Sequence, residues 1–205
     1  MPSLYQLKPR FQALLRPTTR RLYRGGITAN QVTLAAALGS ILIAAFVATF
    51  AEHRPVFWLI PLWMFLRMAL NAIDGMLARE FGQQSLLGAY LNELCDVVSD
   101  AALFLAFAAI AGVYHWLLGA VVLISLLAEY AGVMGPLVGA SRRYDGPMGK
   151  SDRALVFGLL AAGFAVGWFP AAWINFLLVV TVVLSVITLI NRVRCGLSDV
   201  STTAV

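Results

Sequence analysis

Polar side chains recur at helical spacing in two neighbouring apolar segments, residues 55–79 and 86–113. The first set follows i, i+4, i+7 and i+11 spacing and comprises Arg67, Asn71, Asp74 and Ala78. The second set follows i, i+4 and i+8 spacing and comprises Asn92, Asp96 and Asp100, with Glu93 beside Asn92. Each spacing places its residues on one helical face. Two antiparallel helices joined by a short connection can therefore turn these polar faces towards each other.

The depth of these residues, counted from the connection near residues 80–86, separates them into two layers. The shallow layer offers oxygen ligands and suits a hard divalent cation bound with a phosphorylated substrate; it comprises Asn71, Asp74, Asn92 and Asp96. Polar contacts between helices are the alternative, but close carboxylates repel unless a cation joins them or one is protonated. The deep layer predicts a buried ion-pair network of Arg67, Asp100 and Glu129.

The composition of the chain excludes an ordinary soluble domain. Of its 205 residues, 60% are hydrophobic and 12% are charged, whereas soluble domains carry roughly a quarter charged residues. The net charge of +5 falls mostly in short connections between apolar runs, where basic residues report orientation in a bilayer, so we do not expect nucleic acid as a partner. Cys95 and Cys195 show neither a disulfide framework nor a zinc spacing.

The apolar runs predict an all-α integral membrane protein. They are apolar on all sides, which excludes the alternation of barrel strands. Six spans are expected, at residues 28–51, 55–79, 86–113, 115–140, 152–169 and 171–193. Residues 1–27 interleave basic and apolar residues and predict an interfacial amphipathic helix, followed by a membrane domain over residues 28–205.

The distribution of basic residues predicts the orientation of this domain. Thirteen of the fifteen Lys and Arg residues fall on the side of the two termini, whereas Arg54 falls opposite and Arg67 lies within a span. The positive-inside tendency places both termini, the connection around Arg79 and the connection from Arg142 to Arg153 in the cytoplasm, so the shallow polar layer opens to that side. The compact architecture favours a bacterial inner membrane.

A longer motif begins at the polar face of the second segment, with DGMLARE followed by FGQQSLLGAYLNELCD. It reads Asp74-Gly75-x-x-Ala78-Arg79, eight residues, Gly88, three residues, a polar residue, three residues and Asp96. This pattern resembles the signature of the CDP-alcohol phosphotransferase family. The expected six spans and the preceding interfacial helix resemble that family as well, so the resemblance covers nearly the whole chain.

The resemblance implies a membrane transferase. Such enzymes move a substituted phosphate, such as phosphatidyl, from a CDP-linked donor to an acceptor hydroxyl and release CMP, as in phospholipid synthesis. It also implies Mg²⁺ or Mn²⁺ as cofactor, which neutralises charge on the leaving phosphate. The family's four metal-binding positions correspond to Asn71, Asp74, Asn92 and Asp96, and the last is the expected catalytic base.

Two of these four positions depart from the family, because Asn71 and Asn92 stand where aspartate is usual. Asparagine ligates through its carbonyl oxygen but brings no charge. Glu93 is the nearest additional acid. Three outcomes stay open: an enzyme with one ion, an enzyme with two ions that uses Glu93, or a relative that binds a nucleotide without turnover.

Further residues are candidates for donor binding. By resemblance, the donor nucleotide and its phosphates would contact Gly75, Ala78, Arg79 and Gly88, together with Asn30 and Thr33 of the stretch ITANQVT. Small-residue packing between helices, an interfacial arginine and helix capping are the alternative explanations.

The connection SRRYDGPMGKSDRA supplies candidates for acceptor binding. The family uses basic residues at the start of the fifth span for phosphorylated acceptors, which points to Lys150 and Arg153, with Arg142 nearby. A cytoplasmic connection is expected to be basic in any case. The resemblance further implies a homodimer.

Two other classes of function compete with the transferase. Intramembrane acids with Arg67 could form an ion or proton path, but a transporter predicts acids spread through the full depth of the bilayer. The acids of this chain crowd one end. A catalytically silent nucleotide- or lipid-binding protein is the second alternative, and the two asparagines support it.

Overall fold

Seven α-helices make up most of the protein. The computed structural model describes residues 4–203, with side chains from residue 10 to residue 200. The outer ends of the predicted segments 1–27 and 28–205 therefore lie outside the described residues. The helices are α1 Leu4–Arg24, α2 Ala29–Thr49, α3 Leu59–Glu80, α4 Leu86–Leu105, α5 His115–Met134, α6 Lys150–Ala165 and α7 Ala171–Thr203. No strand occurs between residues 4 and 203, which confirms the all-α class.

Four helical segments are long and apolar enough to cross a membrane. Among the described residues these are Ala29–Thr49, Arg54–Glu80, His115–Val138 and Ala171–Val200. The segment α4 carries Glu93, Asp96 and Asp100 within its 20 residues, and α6 is only 16 residues long. Length and charge therefore separate these two helices from the other predicted spans. The chain is an integral membrane protein with at least four helices of spanning character.

Two predicted spans leave the α-helix six or more residues before their expected ends. The segment 86–113 leaves the α-helix after Leu105, through a 3₁₀ turn at Ala106–Ala109. The segment 115–140 leaves it after Met134, through a 3₁₀ turn at Gly135–Val138 that contains a proline. Proline lacks an N–H, and Gly139 adopts a left-handed φ of 86°, which residues with a Cβ rarely adopt. Backbone chemistry thus ends this helix before its apolar run ends.

The chain forms two compact units. The first contains Met1–Ile43 and Leu62–Ala102, and the second contains Ala44–Pro61 and Leu103–Val205. In the first unit a small apolar core joins α1, α2 and α3. Its buried members are Ala29, Val32, Ile73 and Leu77, and Leu15, Leu22, Ile27, Leu70, Ala78 and Phe81 pack against them.

Polar contacts also attach α1 to α3 within the first unit. Thr19 is fully buried, donates to the Leu15 carbonyl over 3.0 Å and lies 3.9 Å from the Met76 sulfur. At the surface Arg16 pairs with Glu80 over 2.9 Å. The apolar side of α1 therefore faces α3.

Aromatic side chains form the centre of the second unit. Phe57 contacts Phe107 and Phe164 at ring-centroid distances of 5.6 Å and 4.8 Å. Phe157 stacks on Phe104 at 3.8 Å and meets Phe107 edge-on at 5.3 Å. Each such aromatic pair adds roughly 0.5–1.5 kcal/mol of stability beyond the contribution of the surface area that it buries. They fix α6 against the segments before α3 and after α4.

The connection between α5 and α6 is held against α7 within the second unit. Met148 N donates to Thr188 Oγ1 over 2.9 Å, and Arg143 forms a two-pronged ion pair with Asp145 and a further pair with Asp199. The hydrogen bond from Arg143 holds the pKa of the Asp145 carboxyl below its usual value. The pair is therefore complete at neutral pH, and its contribution to stability is lost only in acid, as the pH falls through the lowered pKa of Asp145.

We expect Gly39→Ala to weaken the packing of α2 on α3. The Trp63 indole lies over Gly39 and donates to Ser40 Oγ over 2.9 Å, so a Cβ at position 39 would overlap the ring. Overpacking of this kind costs about 1–3 kcal/mol of unfolding free energy. The measurement is unfolding of the purified protein in mixed micelles with increasing SDS, followed by helical circular dichroism.

Gly119→Ala in α5 is the matched control, because nothing lies within 4 Å of its added Cβ. This control is expected to change the unfolding free energy by no more than about 0.5 kcal/mol. Equal effects of the two substitutions would contradict the packing of Trp63 on Gly39.

Candidate active site on the third and fourth helices

Asp96 of α4 is the centre of a polar cluster in the first unit. Its Oδ1 accepts from the Arg67 guanidinium and from the Asn71 amide nitrogen of α3, each over 3.0 Å. Arg67 also donates to the Asp96 backbone carbonyl over 3.2 Å and to Asp100 Oδ1 over 2.5 Å. The two helical faces identified by their spacing therefore face each other.

Asp74 is the second carboxylate of this cluster and is buried, with 6% of its surface exposed. Its Oδ2 accepts from the Thr33 hydroxyl of α2 over 2.8 Å. Thr33 also contacts the Ala29 carbonyl over 3.1 Å and is itself buried. Thr33 is a candidate for contact with the nucleotide, and in this structure its hydroxyl holds the Asp74 carboxylate.

Gly75 and Arg79 of the motif are in direct contact. A Cβ at position 75 would lie 2.7 Å from the Arg79 Nη2, so the guanidinium rests over the glycine. Arg79 is otherwise exposed at the end of α3, whereas Ala78 packs against the apolar core of the first unit. The small residue at position 75 therefore leaves room for an arginine of the chain itself.

The start of α4 approaches the start of α2. A Cβ at Gly88 would lie 2.8 Å from Asn30 Oδ1 and 2.9 Å from Ser85 Oγ. Ser85 Oγ also accepts from the Gly88 backbone N–H over 2.9 Å, as a helix-capping residue does. Gly88 thus permits the close approach of Asn30, and both candidate donor-binding residues lie together.

The remaining candidate ligands lie on α4 one turn before Asp96. Asn92 and Glu93 are both half-buried. Between residues 4 and 203 no group of three or more Asp, Glu, His or Cys side chains is placed to hold a metal ion. The candidate donor set is therefore the carboxylates of Asp74 and Asp96, with the amide oxygens of Asn71 and Asn92 as further candidates. This all-oxygen set suits a hard cation that shares its coordination with substrate phosphates and water.

Glu129, which the sequence analysis groups with Arg67 and Asp100, has its described ion pairs within the second unit. It pairs with Arg153 over 2.7 Å and with Arg192 over 3.2 Å. The described ion pairs of Arg67 are with Asp96 and Asp100.

Arg192 is the residue that the sequence reading missed. It is 2% exposed in α7 and donates to the Ala128 carbonyl over 2.5 Å. It was counted among the basic residues that flank a span. Its position inside the predicted span 171–193 could have revealed it, because a charged residue within a span needs a buried partner, as Arg67 does.

The three acceptor candidates differ in their surroundings within the second unit. Arg153 is 1% exposed and donates to Glu129 and to the Met148 carbonyl, the latter over 2.9 Å. Arg142 lies over the Tyr144 ring at 5.1 Å, and Lys150 begins α6 half-buried. Both terminal nitrogens of Arg153 thus already donate to acceptors within the second unit.

Known proteins resemble this chain over most of its length. A family model described as CDP-alcohol phosphatidyltransferase matches residues 26–190. The chain is 45% identical over 194 residues to the inner membrane protein YnbA of Escherichia coli, covering 94% of this chain and 95% of that protein. It is 32% identical over 197 residues to a phosphatidylinositol phosphate synthase of Streptomyces avermitilis, covering 89% and 78%.

Solved structures share the fold. The phosphatidylinositol phosphate synthase PgsA1 of Mycobacterium tuberculosis with CDP-DAG bound gives a TM-score of 0.68 at 25% identity, covering 88% of this chain and 92% of that one. The same enzyme in complex with manganese and citrate gives a TM-score of 0.71 at 22% identity, covering 89% and 88%.

We expect Glu129→Gln to destabilise the second unit strongly. The substitution leaves Arg153 and Arg192 buried without their carboxylate, and breaking a buried pair from one side costs about 3–5 kcal/mol. SDS unfolding in mixed micelles measures the loss. Glu80→Gln is the matched control, because its pair with Arg16 is exposed and contributes about 0.2–1 kcal/mol. Equal losses in both variants would show that the buried network carries no special weight.

Proposed function

Because the chain belongs to the CDP-alcohol phosphatidyltransferase family, we propose that it transfers a phosphatidyl group from a CDP-linked donor such as CDP-diacylglycerol to an acceptor hydroxyl, with release of CMP. This is a reaction of phospholipid synthesis. The observation that carries the proposal is the pair of carboxylates in the family motif, Asp74 and Asp96, each held in place by side chains of the first unit.

Side chains of the chain itself would act as the general base for this reaction and would orient the two carboxylates. The acceptor oxygen forms a bond to the donor phosphorus, the bond from that phosphorus to the CMP oxygen breaks, and Asp96 takes the acceptor's proton. Arg67 and Asn71 donate to Asp96, so they hold its carboxylate in a fixed orientation before the proton arrives. Thr33 does the same for Asp74.

A divalent ion fits the oxygen donors of this site. Mg²⁺ or Mn²⁺ would be held by Asp74 and Asp96 with Asn71, Asn92 or Glu93 as further ligands, and when bound it neutralises the charge that builds on the leaving phosphate. The manganese complex of the mycobacterial enzyme supports this cofactor.

The donor would bind at the cytoplasmic ends of α2, α3 and α4. Arg79 is exposed beside Gly75 and can pair with a donor phosphate. Asn30 lies beside Gly88, where the close approach of two helices leaves a polar edge for the nucleotide. Ala78 supports this end of α3 through the apolar core.

The acceptor would meet the basic residues around the start of α6. Lys150 and Arg142 are the first candidates for a phosphorylated acceptor. Arg153 would take part only if a phosphate replaced Glu129 as its partner, since its terminal nitrogens already donate within the chain.

We also propose the finer topology that the sequence predicts. The helices α4 and α6 would complete six spans, and α1 would lie in the membrane interface with its arginines outward. Both termini and the active site would face the cytoplasm of a bacterium, in its inner membrane, which the printed name of the Escherichia coli relative supports. A homodimer is the expected assembly.

A silent binding protein is the second candidate function. It is favoured by the bond from Asn71 to Asp96, because this direct bond between α3 and α4 is one that a purely structural contact would also make. Metal-dependent release of CMP separates the two functions.

We expect the purified protein in lipid to release CMP from CDP-diacylglycerol only with Mn²⁺ or Mg²⁺ and an acceptor alcohol. Asp96→Asn is expected to reduce the rate by roughly 10²–10⁴, because it removes the general base. The exposed Glu52→Gln is the control and should keep the wild-type rate. Metal-independent release, or a fully active Asp96→Asn variant, would contradict the assignment.

We expect Thr33→Val to lower the rate of CMP release about ten-fold, because a hydrogen bond to a charged group contributes about 1.5–3 kcal/mol, part of which orients Asp74. Thr33→Ser retains the hydroxyl and should recover most of the rate. Thr49→Val in the same helix removes a hydroxyl that contacts only the Ala45 carbonyl over 2.8 Å among the described contacts, and should have no effect. If valine and serine at position 33 behave alike, Thr33 does not position Asp74.

A further inference from the structure

One side of α1 carries a row of arginines, which we call the arginine face. Arg16, Arg20 and Arg24 follow i, i+4 and i+8 spacing, which places them on one side of the helix, and Arg21 lies beside them. All four side chains are exposed. The sequence of α1 contains no aspartate or glutamate. The arginine face is therefore strongly positive.

The arginine face lies opposite the side of α1 that packs on the rest of the first unit. Leu15 and Leu22 pack against the apolar core of that unit. At 3.6 residues per turn, these leucines lie roughly half a turn away from Arg20 and Arg24. The arginine face therefore points away from the core, towards the surroundings of the first unit.

The contacts of α1 with α3 indicate the depth of the arginine face. Side chains of α1 contact α3, or the residue directly after it, in the pairs Arg16–Glu80, Thr19–Met76 and Tyr23–Phe81. The α1 members of these pairs span about 10 Å of helix, whereas their partners all fall within residues 76–81. The helix α1 therefore crosses the end of α3. Since Arg54–Glu80 has the length and composition of a membrane span, α1 lies at the level of the lipid head groups.

Few carboxylates lie near the arginine face in the described part of the chain. Arg16 pairs with Glu80 over 2.9 Å, and both side chains are exposed. Among residues 10–200, no carboxylate forms an ion pair with Arg20, Arg21 or Arg24. Like charges at i and i+4 destabilise a helix. An anion placed between the arginines would remove this repulsion.

An open groove of about 370 Å³ runs along the arginine face. It is lined by the four arginines together with Ala13 and Pro17. These two side chains are short, so they leave room for a ligand between the guanidinium groups. Guanidinium groups bind phosphate oxygens through paired hydrogen bonds. The groove therefore fits a phosphate group at the level of the head groups.

We propose that this groove binds the phosphate of an anionic phospholipid of the bilayer, in preference to a zwitterionic phospholipid. The preference follows from charge. Phosphatidylcholine carries a quaternary ammonium group that the arginines repel, whereas phosphatidylglycerol carries a net negative charge that they attract. The proposal goes beyond the transferase reaction, since no residue of the groove belongs to the candidate active site.

The test measures lipid binding to the full-length protein. The protein in detergent micelles is titrated with phosphatidylglycerol or with phosphatidylcholine, and native mass spectrometry counts the lipids that stay bound. The wild type is expected to bind phosphatidylglycerol more tightly. Arg20→Gln should weaken this binding about five-fold, the factor expected for one basic residue beside an anionic lipid. Equal affinity of the wild type for both lipids, or an unchanged affinity in the variant, would overturn the proposal.

Arg194→Gln in α7 is the matched control. It removes the same charge from another exposed arginine, which lies outside the groove. Its affinity for phosphatidylglycerol should equal that of the wild type. An equal loss in the two variants would show that the net charge of the protein attracts the lipid, and would overturn the assignment to the groove.

Combined substitutions separate the charge of the groove from other effects. Arg20→Gln with Arg21→Gln and Arg24→Gln should remove the preference for phosphatidylglycerol. Arg20→Lys with Arg21→Lys and Arg24→Lys keeps the charges and should retain the preference. Its loss in the lysine variant as well would show that charge is not its cause, which contradicts the proposal.

Competition with inorganic phosphate distinguishes a lipid from a free anion. Ammonium phosphate is compared with ammonium acetate of equal ionic strength. Phosphate should leave phosphatidylglycerol bound, because the acyl chains of the lipid hold its head group beside α1. Displacement by phosphate alone would assign the groove to a soluble anion and would overturn the proposal.

Discussion

The contact of Arg67 with Asp96 and Asp100 is the interaction on which the candidate active site depends. A charged guanidinium within an apolar helix requires carboxylates at hydrogen-bond distance, and α4 provides them one turn apart. This requirement fixes the register of α3 against α4. Once the register is fixed, Asn71 lies beside Asp96 and can donate to it. An aspartate at position 71 would meet the Asp96 carboxylate instead.

The polar faces of α3 and α4 could be predicted because one physical rule governs them. Spacing of three and four residues assigns side chains to a face within a single helix, and a short connection makes consecutive helices neighbours. Contacts between helices distant in sequence follow no such rule. Glu129 was therefore assigned to Arg67 on depth alone, whereas its partners come from α6 and α7. Thr33 shows the same limit, since its hydroxyl could serve a ligand or a carboxylate equally well.

The helices were easier to predict than their relation to the membrane. Each predicted apolar segment contains an α-helix, because long apolar runs leave the backbone no other way to satisfy its hydrogen bonds in lipid. The ends differ where Pro136 and Gly139 end α5 and where a 3₁₀ turn follows α4. The acids of α4 that form the proposed site are the same residues that lower its apolar character. The sequence signal for a membrane span is therefore weak in the helix that carries the proposed site.

The placement of Arg79 over Gly75 affects the entropy of binding. A free arginine side chain samples many rotamers, and immobilising it costs up to about 2 kcal/mol. Here the guanidinium already rests against the backbone of α3, because position 75 lacks a Cβ that would push it away. Part of that cost is met when the helix folds rather than when a ligand arrives. The glycine of the motif therefore restricts the arginine before any ligand binds.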